Sequence, residues 1–143
     1  MSDLALSVWV RLLKAHGLMM REVRRRVPES LTLPQFDVLA QLARREDGMT
    51  HGELTRELLV TAGNVTGIVD RLEALGLVER CPVPGDRRAV RVCLTRRGRN
   101  VTGRALPRHK KDVTALLEGV SPGDLARLRD LLGTVARVLE ESP

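Results

Sequence analysis

The side chains of this sequence that are best suited to bind a charged partner are its arginines and lysines, and they are concentrated in one short segment. Residues 80–111 contain 11 Lys and Arg but a single acid, Asp86, whereas the whole chain has 24 basic and 18 acidic residues. Solvated surfaces usually mix both signs of charge, so these residues, called the basic segment below, have the pattern expected for contact with a polyanion. Arg is also used almost everywhere that Lys would serve, and its planar guanidinium suits two-point contacts with phosphate.

Catalytic or metal-binding chemistry has no comparable support. The three histidines, His16, His51 and His109, are far apart and have no acid or cysteine neighbour at the spacing of a metal site. The sequence also lacks a phosphate-binding glycine loop, a nucleophile elbow and a zinc-protease motif. We therefore expect neither an enzyme nor a bound metal or cofactor.

The composition favours a single helical domain. With 143 residues, one Trp (Trp9), one Phe (Phe36) and no Tyr, the core must consist of Leu, Val, Ala and Met, which suits packed helices better than a β-sandwich. The shortage of aromatic residues also argues against stacking on single-stranded nucleic acid. No apolar run approaches the roughly 18 residues that span a bilayer, and no basic stretch precedes an apolar one at the N-terminus. We expect a cytoplasmic protein without membrane contact.

Apolar residues at helical spacing predict six helices, and several residues predict where these helices begin and end. The predicted helices cover about 3–27, 33–45, 51–58, 61–75, 96–119 and 122–140. The residues expected to cap their N-termini are Thr32 or Leu33, Thr50 in a capping box with Glu53, Thr61, Thr95 and Ser121. Pro28 is expected to stop the first helix, Gly76 to end the fourth and Pro107 to bend or interrupt the fifth.

Between the fourth and fifth helices the pattern changes to that of a β-hairpin. Leu77–Pro82 and Val90–Thr95 read as short strands, and residues 83–88 read as a turn-rich tip. Helix, tight turn, helix and hairpin is the order of a winged helix-turn-helix, so the expected fold class is mainly α with a small β-hairpin wing. In that arrangement the fourth helix fits the major groove of DNA and the hairpin reaches an adjacent minor groove.

Two stretches of sequence resemble the MarR (multiple antibiotic resistance regulator) family. The first is Leu54-Thr55-Arg56-Glu57-Leu58 continuing through Val65-Thr66-Gly67-Ile68-Val69-Asp70-Arg71-Leu72 to Gly76-Leu77-Val78-Glu79-Arg80. The second runs from Pro84-Gly85-Asp86-Arg87-Arg88 to Leu94-Thr95-Arg96-Arg97-Gly98 and is similar to the family's wing and the start of the next helix. Together they cover roughly residues 50–99 without a gap.

The resemblance implies a homodimer that binds double-stranded DNA. Family members pair through the N-terminal helix and the last two helices, here 3–27, 96–118 and 121–140. One protomer would span 1–143, with a DNA-binding lobe at 30–95 and a helical dimerisation region at 1–28 and 96–143. The two terminal regions also carry more Leu and Val than a compact winged domain could cover, which independently favours a partner. The expected function is a repressor of a palindromic operator that a small molecule releases.

The DNA-binding residues that the resemblance implies fall into two groups. In the recognition helix they are Thr61, Ala62, Gly63, Asn64, Thr66 and Gly67. This helix departs from the family, where positions 62, 63, 64 and 67 are often Ser, Arg or Thr, so only Asn64 and Thr66 remain as good candidates for base edges. Gly63 and Gly67 either permit close approach to DNA or are simply tolerated. In the wing the candidates are Arg80, Asp86, Arg87, Arg88 and Arg91, with Asp86 pairing with a nearby arginine and Arg88 entering the minor groove.

The two cysteines, Cys81 and Cys93, fall on the two predicted strands. If the hairpin is centred near Arg87, they lie opposite each other on one face, with Cβ atoms about 4.5–5.5 Å apart, within adjustment of a disulfide. A redox switch that distorts the wing is one interpretation. Cytoplasmic thiols are normally reduced, so the favoured interpretation is that the two cysteines are simply small residues of the strands.

A small-molecule site and two rival functions complete the expectations. Relatives bind small phenolic or other lipophilic anions between the dimer helices and the DNA-binding lobe, and the matching walls here would include Trp9, Leu13, His16 and Phe36. Ordinary packing is the alternative for these side chains. The rivals to a specific regulator are an architectural DNA-binding protein of low specificity and a winged helix that binds only proteins.

Overall fold

In the part of the chain that the structure describes, the fold consists of six helices and one β-hairpin, as the sequence predicts. A computed structural model describes residues 2–27, 30–59, 64–83 and 85–143, except for the side chains of Ser2 and Arg87. The elements are α1 (Ser2–Arg26), α2 (Leu33–Ala43), α3 (His51–Glu57), α4 (Val65–Ala74), β1 (Val78–Val83), β2 (Asp86–Leu94), α5 (Arg96–Leu116) and α6 (Pro122–Glu140). The predicted fold class is therefore confirmed. None of the helices in these described ranges is both long and apolar enough to cross a membrane.

Side-chain caps begin four of the helices where the sequence predicts them. The hydroxyl oxygens of Thr32, Thr50, Thr95 and Ser121 each accept a hydrogen bond from the backbone N–H three residues later, at 3.0 to 3.3 Å. Thr32 and Gln35 form a reciprocal capping box. At α3, however, the Glu53 carboxylate accepts a hydrogen bond from Arg45 at 3.0 Å, so this side chain serves a tertiary contact rather than the predicted box.

Some predicted boundaries are wrong. Helix α5 continues through Pro107 without interruption and ends at Leu116. A proline costs a helix interior about 3 kcal/mol, and here Ala105 before it and His109 after it pack against α2, which offsets that cost. The second strand begins at Asp86 rather than Val90, because Val83 and Asp86 pair directly. Pro28 and its predicted role lie outside the described residues.

The main core lies between α2, α3, α4 and the hairpin. Its fully buried members include Leu39, Leu42, Leu54, Leu72 and Val92. A smaller cluster of Leu33, Phe36 and Ala105 joins α2 to α5 and to residues of α1. The two clusters hold the helix-turn-helix and the hairpin in one fixed arrangement on top of the long helices.

A short backbone pairing fixes the hairpin to the loop after α2. Met49 donates to the carbonyl of Val92 at 2.9 Å, and Val92 donates back to Met49 at 2.7 Å. Met49 is almost completely buried by this pairing. At Val92, strand β2 is therefore paired on both of its edges, with Arg80 of β1 and with Met49, and this anchor was not predicted from the sequence.

Gly98 allows the start of α5 to pack directly on the backbone of Leu77. A Cβ at position 98 would lie 2.9 Å from the carbonyl carbon of Leu77 and closer still to its oxygen. Because the obstacle is backbone rather than a flexible side chain, the helix itself would have to move. Gly98 therefore sets the approach of α5 to the hairpin.

We expect Gly98→Ala to lower the free energy of unfolding by about 3 kcal/mol, the upper end of what overpacking costs. Gly103→Ala in the same helix is the matched control, since nothing lies within 4 Å of the added methyl group. That control should be neutral or stabilising by up to about 1 kcal/mol, because Ala is the better helix former. Urea unfolding at one protein concentration measures both, and equal stability of the two variants would contradict the packing argument.

Two helices expose broad apolar faces. Helix α6 has no buried residue, and Leu131 and Leu139 on it are 64% and 68% exposed. On α1, Trp9 is 56% exposed, and Leu4, Leu6, Val8, Val10 and Leu13 are exposed as well. The surplus of apolar surface in the two terminal regions is thus present in the folded protomer.

Candidate nucleic-acid interface

Asn64 caps the predicted recognition helix. Helix α4 begins at Val65, and the Asn64 side-chain oxygen accepts a hydrogen bond from the backbone N–H of Gly67 at 2.8 Å. Thr61, Ala62 and Gly63 lie outside the described residues, so the predicted cap at Thr61 is not among the contacts seen. A two-point contact of Asn64 with adenine needs both its oxygen and its nitrogen and would therefore compete with the cap.

The cap explains why position 67 is a glycine. A Cβ on Gly67 would lie 2.9 Å from Cγ of Asn64 and closer still to its amide nitrogen, so a side chain there would displace the capping residue. Thr66 remains as an exposed polar side chain in the first turn of α4. The two residues predicted to read bases thus differ: Thr66 is accessible, whereas Asn64 already has a structural contact.

The tip of the hairpin presents Arg88 on a bulge. Pro82 pairs with Val90 and Val83 with Asp86, so residues 87–89 have no counterpart on β1. The Asp86 carboxylate accepts a hydrogen bond from the backbone N–H of Arg88 at 3.0 Å, and the Arg88 side chain is exposed. Asp86 was expected to pair with an arginine side chain; the contact that the structure describes is with arginine backbone instead. Its effect is to fix the position from which Arg88 projects.

Arg80 connects the hairpin to α4. Its guanidinium donates to Asp70 at 3.0 Å and to Glu73 at 3.3 Å, two acids one turn apart on that helix. All three side chains are about half exposed, so the pairs hold the angle of the hairpin more than they stabilise the fold. Arg80 was predicted as a DNA contact, and its acidic partners on α4 were missed. The Asp-x-x-Glu spacing at 70–73 is the signal that could have indicated them.

Arg91 connects the hairpin to the loop after α2. It donates to the carbonyl of Gly48 at 3.2 Å and lies 3.7 Å from the Glu53 carboxylate. Arg80 and Arg91 therefore position the wing. The side chain of Arg88, also predicted as a wing contact, faces solvent. The side chain of Arg87 lies outside the described part of the structure.

A cavity of about 540 Å³ lies between α1, α2 and α5. His16 and Phe36 line it as predicted, whereas Trp9 and Leu13 do not, because both lie on the exposed face of α1. The polar side chains of the wall are His16, Asp37, Gln41, Arg44 and His109. His109 stacks obliquely on Phe36 with ring centres 5.0 Å apart. Sequence reasoning missed Asp37, Arg44 and His109, since only packing brings them together.

One wall residue of the cavity also contacts the segment before α4. The buried Asp37 carboxylate accepts a hydrogen bond from the backbone N–H of Leu59 at 2.7 Å. Leu59 follows α3 directly and leads towards the recognition helix. Leu59 itself also lines the cavity, so the cavity is in direct contact with the segment that follows α3.

The two cysteines are diagonal neighbours rather than directly opposed. Cys81 pairs with Arg91 and Cys93 with Glu79, so the hairpin is centred on position 86, one residue from the predicted centre, and each cysteine faces a partner two residues from the expected one. Both lie on the same face, as predicted, with Cα atoms 6.2 Å apart and their sulfur atoms joined in a disulfide. Within the described residues, no group of three His, Cys, Asp or Glu side chains forms a metal site.

The chain resembles known proteins in both sequence and fold. Residues 29–89 match the model of the MarR family. The chain is 32% identical over 111 residues to the HTH-type transcriptional regulator PecS of Dickeya dadantii, and this alignment covers 76% of the chain and 67% of PecS. It is 34% identical over 106 residues to the multiple antibiotic resistance protein MarR of Salmonella typhimurium, covering 73% of each. A MarR family transcriptional regulator from Silicibacter pomeroyi superposes with a TM-score of 0.83 at 30% identity over 96% of both chains.

Proposed function

Because the chain belongs to the MarR family of transcriptional regulators, and is therefore not an enzyme, we propose that two copies of it form a repressor of a palindromic operator that a small molecule releases. Residues 30–95 would form the DNA-binding lobe, and 1–28 with 96–143 the dimerisation region. The observation that carries the proposal is that one protomer exposes two such elements, the N-terminal turn of α4 and the Arg88 bulge, whose direction Asp86 fixes.

These two elements fit adjacent grooves of B-DNA. The first turn of α4 offers Thr66 and backbone N–H groups to base edges and phosphates in the major groove. Arg88 at the wing tip suits the narrow, negative minor groove beside it. Because the described recognition turn offers few base-reading side chains, much of the affinity would come from arginines on phosphates, and binding would fall steeply with salt.

The exposed apolar faces of α1 and α6 support the dimer. Leu131 and Leu139 are mostly exposed in the protomer, and contiguous exposed apolar side chains of this kind mark interaction surfaces. A second copy would cover these side chains with the same surface, as two-fold symmetry requires. The two α4 helices would then read half-sites about 34–36 Å apart, one turn of the double helix.

The cavity supports release by a small molecule. Its wall is mainly apolar, with His16, Arg44 and His109 as the basic groups, and this mixture suits a small aromatic anion. A ligand that contacts Asp37 would act on its hydrogen bond to Leu59 and so on the entry to α4. Release then follows if the ligand binds best to a protomer whose α4 is displaced from its DNA-reading position.

Binding to the region upstream of the protein's own coding sequence tests the regulator. A labelled fragment of this region is titrated with protein in the presence of excess random DNA, at two salt concentrations. Tight binding that survives the competitor supports a sequence-specific regulator. Binding that any DNA abolishes equally indicates the architectural protein, and absence of binding to any DNA indicates a winged helix that binds only proteins.

Ligand release is tested with salicylate, a small phenolic anion. Millimolar salicylate should weaken operator binding by about ten-fold, a coupling within the usual 1–3 kcal/mol between two sites. Arg44→Gln removes a cation of the cavity wall on the exposed end of α2 and should leave DNA binding intact while reducing the salicylate effect. An equal response of wild type and variant would contradict a role of Arg44 in this cavity.

A further inference from the structure

The cysteine pair of the wing carries an inference about regulation that rests on the proposed DNA binding. We propose that Cys81 and Cys93 form a thiol–disulfide site through which a low-molecular-weight disulfide, such as oxidised glutathione, tightens the binding of DNA. The bond closes within one hairpin, directly behind the tip that presents Arg88.

The backbone of the hairpin places the two cysteines at a separation that a disulfide can span. Cys81 and Cys93 are on the same face of the antiparallel pair, and their Cα atoms lie 6.2 Å apart, inside the range of about 4.4–6.8 Å that disulfides require. The strand pairs on both sides, Glu79 with Cys93 and Cys81 with Arg91, stay in register with the bond in place. Oxidation therefore keeps the wing in its DNA-binding shape, in contrast to the distortion considered from sequence alone.

The two sulfur atoms have different surroundings. Cys93 is only 8% exposed, packed against the backbone of Gly48, and its Sγ lies 3.8 Å from the carbonyl oxygen of Asp47. As a thiol it can donate a weak hydrogen bond to that oxygen. Cys81 is half-buried and is therefore the more accessible of the two to a reagent in solution.

Because Cys81 is the more accessible thiol, it reacts first. The Cys81 thiolate, after losing its proton to solvent, attacks one sulfur of oxidised glutathione, forms a mixed disulfide and expels one glutathione thiolate. The Cys93 thiolate then attacks Sγ of Cys81, closes the protein disulfide and expels the second glutathione. The two protein thiols are oxidised, and one glutathione disulfide is reduced to two thiols.

The bond encloses the whole tip of the wing. Residues 82–92 lie between the two cysteines, and they include Asp86 and the Arg88 bulge. Closing this loop removes conformations that the reduced tip can visit. The tip therefore loses less conformational entropy when DNA binds. We expect the oxidised protein to bind its operator about five-fold more tightly, a gain typical of ordering one short loop in advance.

The test uses the full chain in glutathione buffers of graded redox potential. Free thiols are counted by maleimide labelling and mass spectrometry, and operator affinity is measured in the same buffers. Wild type should go from two free thiols to none, and its subunit mass should fall only by two hydrogen atoms. The gain in affinity should follow the loss of thiols. Cys81→Ser keeps the buried Cys93 in place, so it should fold normally and bind like the reduced protein in every buffer.

The outcomes separate the site from the proposed function. Two thiols that persist in oxidised glutathione, or a disulfide between chains, would overturn the site itself, and this readout does not involve DNA. A bond that forms without changing affinity, or that weakens binding, would overturn the regulation. Failure of the reduced protein to bind any DNA would instead count against the proposed function.

Discussion

Arg88→Ala should weaken operator binding by about 10- to 100-fold, the effect of losing one well-placed arginine contact in a DNA groove. Asp86 holds the backbone of Arg88 at 3.0 Å, so the side chain projects from a fixed bulge rather than from a free loop. Arg80 and Arg91 do not take its place, because they are engaged by Asp70, Glu73 and the loop after α2.

Fluorescence anisotropy with the operator fragment measures this loss. Arg127→Ala is the matched control, since it removes the same charge from an exposed position of α6 outside the basic segment. Its affinity should stay within about two-fold of wild type, as expected for one charge removed away from the DNA. Equal losses in the two variants would mean that Arg88 contributes only net charge and would contradict insertion into the minor groove.

Leu131→Asp should convert the dimer to monomer at micromolar concentration and reduce operator affinity by at least about 100-fold, since the two half-sites would no longer be bound together. Leu131 is 64% exposed in the protomer, at the centre of the apolar face of α6. A carboxylate there would lose its hydration if a second copy covered that face, and the cost would fall on association rather than on folding.

Sedimentation velocity and circular dichroism distinguish these two effects. The helical signal of Leu131→Asp should match that of wild type, because Leu131 is mostly exposed in the protomer and α6 has no buried residue. Arg137→Asp places an acid on the polar side of the same helix and should remain dimeric. A Leu131→Asp protein that still sediments as a dimer would show that the two copies do not pair through α6.

Features that depend on a few neighbouring residues were predictable from the sequence. The caps at Thr32, Thr50, Thr95 and Ser121 act over three residues, so the local pattern is sufficient to place them. Gly76 ends the recognition helix with a φ of 73°, a conformation that side chains disfavour. The order of helices and hairpin follows from the change of apolar periodicity, and that order already indicates the fold.

Where the local pattern allows two solutions, the sequence could not choose between them. Thr61 and Asn64 are both good capping residues within one turn of α4, and the structure shows the cap at Asn64. The hairpin could be centred on Arg87 or one residue earlier, and the pairing of Cys81 with Arg91 centres it on Asp86. That choice moves Cys81 and Cys93 from opposite to diagonal positions.

Contacts between elements distant in the chain were decided by the tertiary structure alone. The partners of Arg80 on α4, the pairing of Met49 with Val92 and the choice of His16 over Trp9 as a cavity wall all depend on how helices and hairpin pack together. Periodicity shows that a helix has an apolar face, but not which neighbour covers it or at what angle. The sequence by itself therefore determined the elements, their order and the basic segment, whereas packing determined that Arg80 and Arg91 position the wing while the side chain of Arg88 faces solvent.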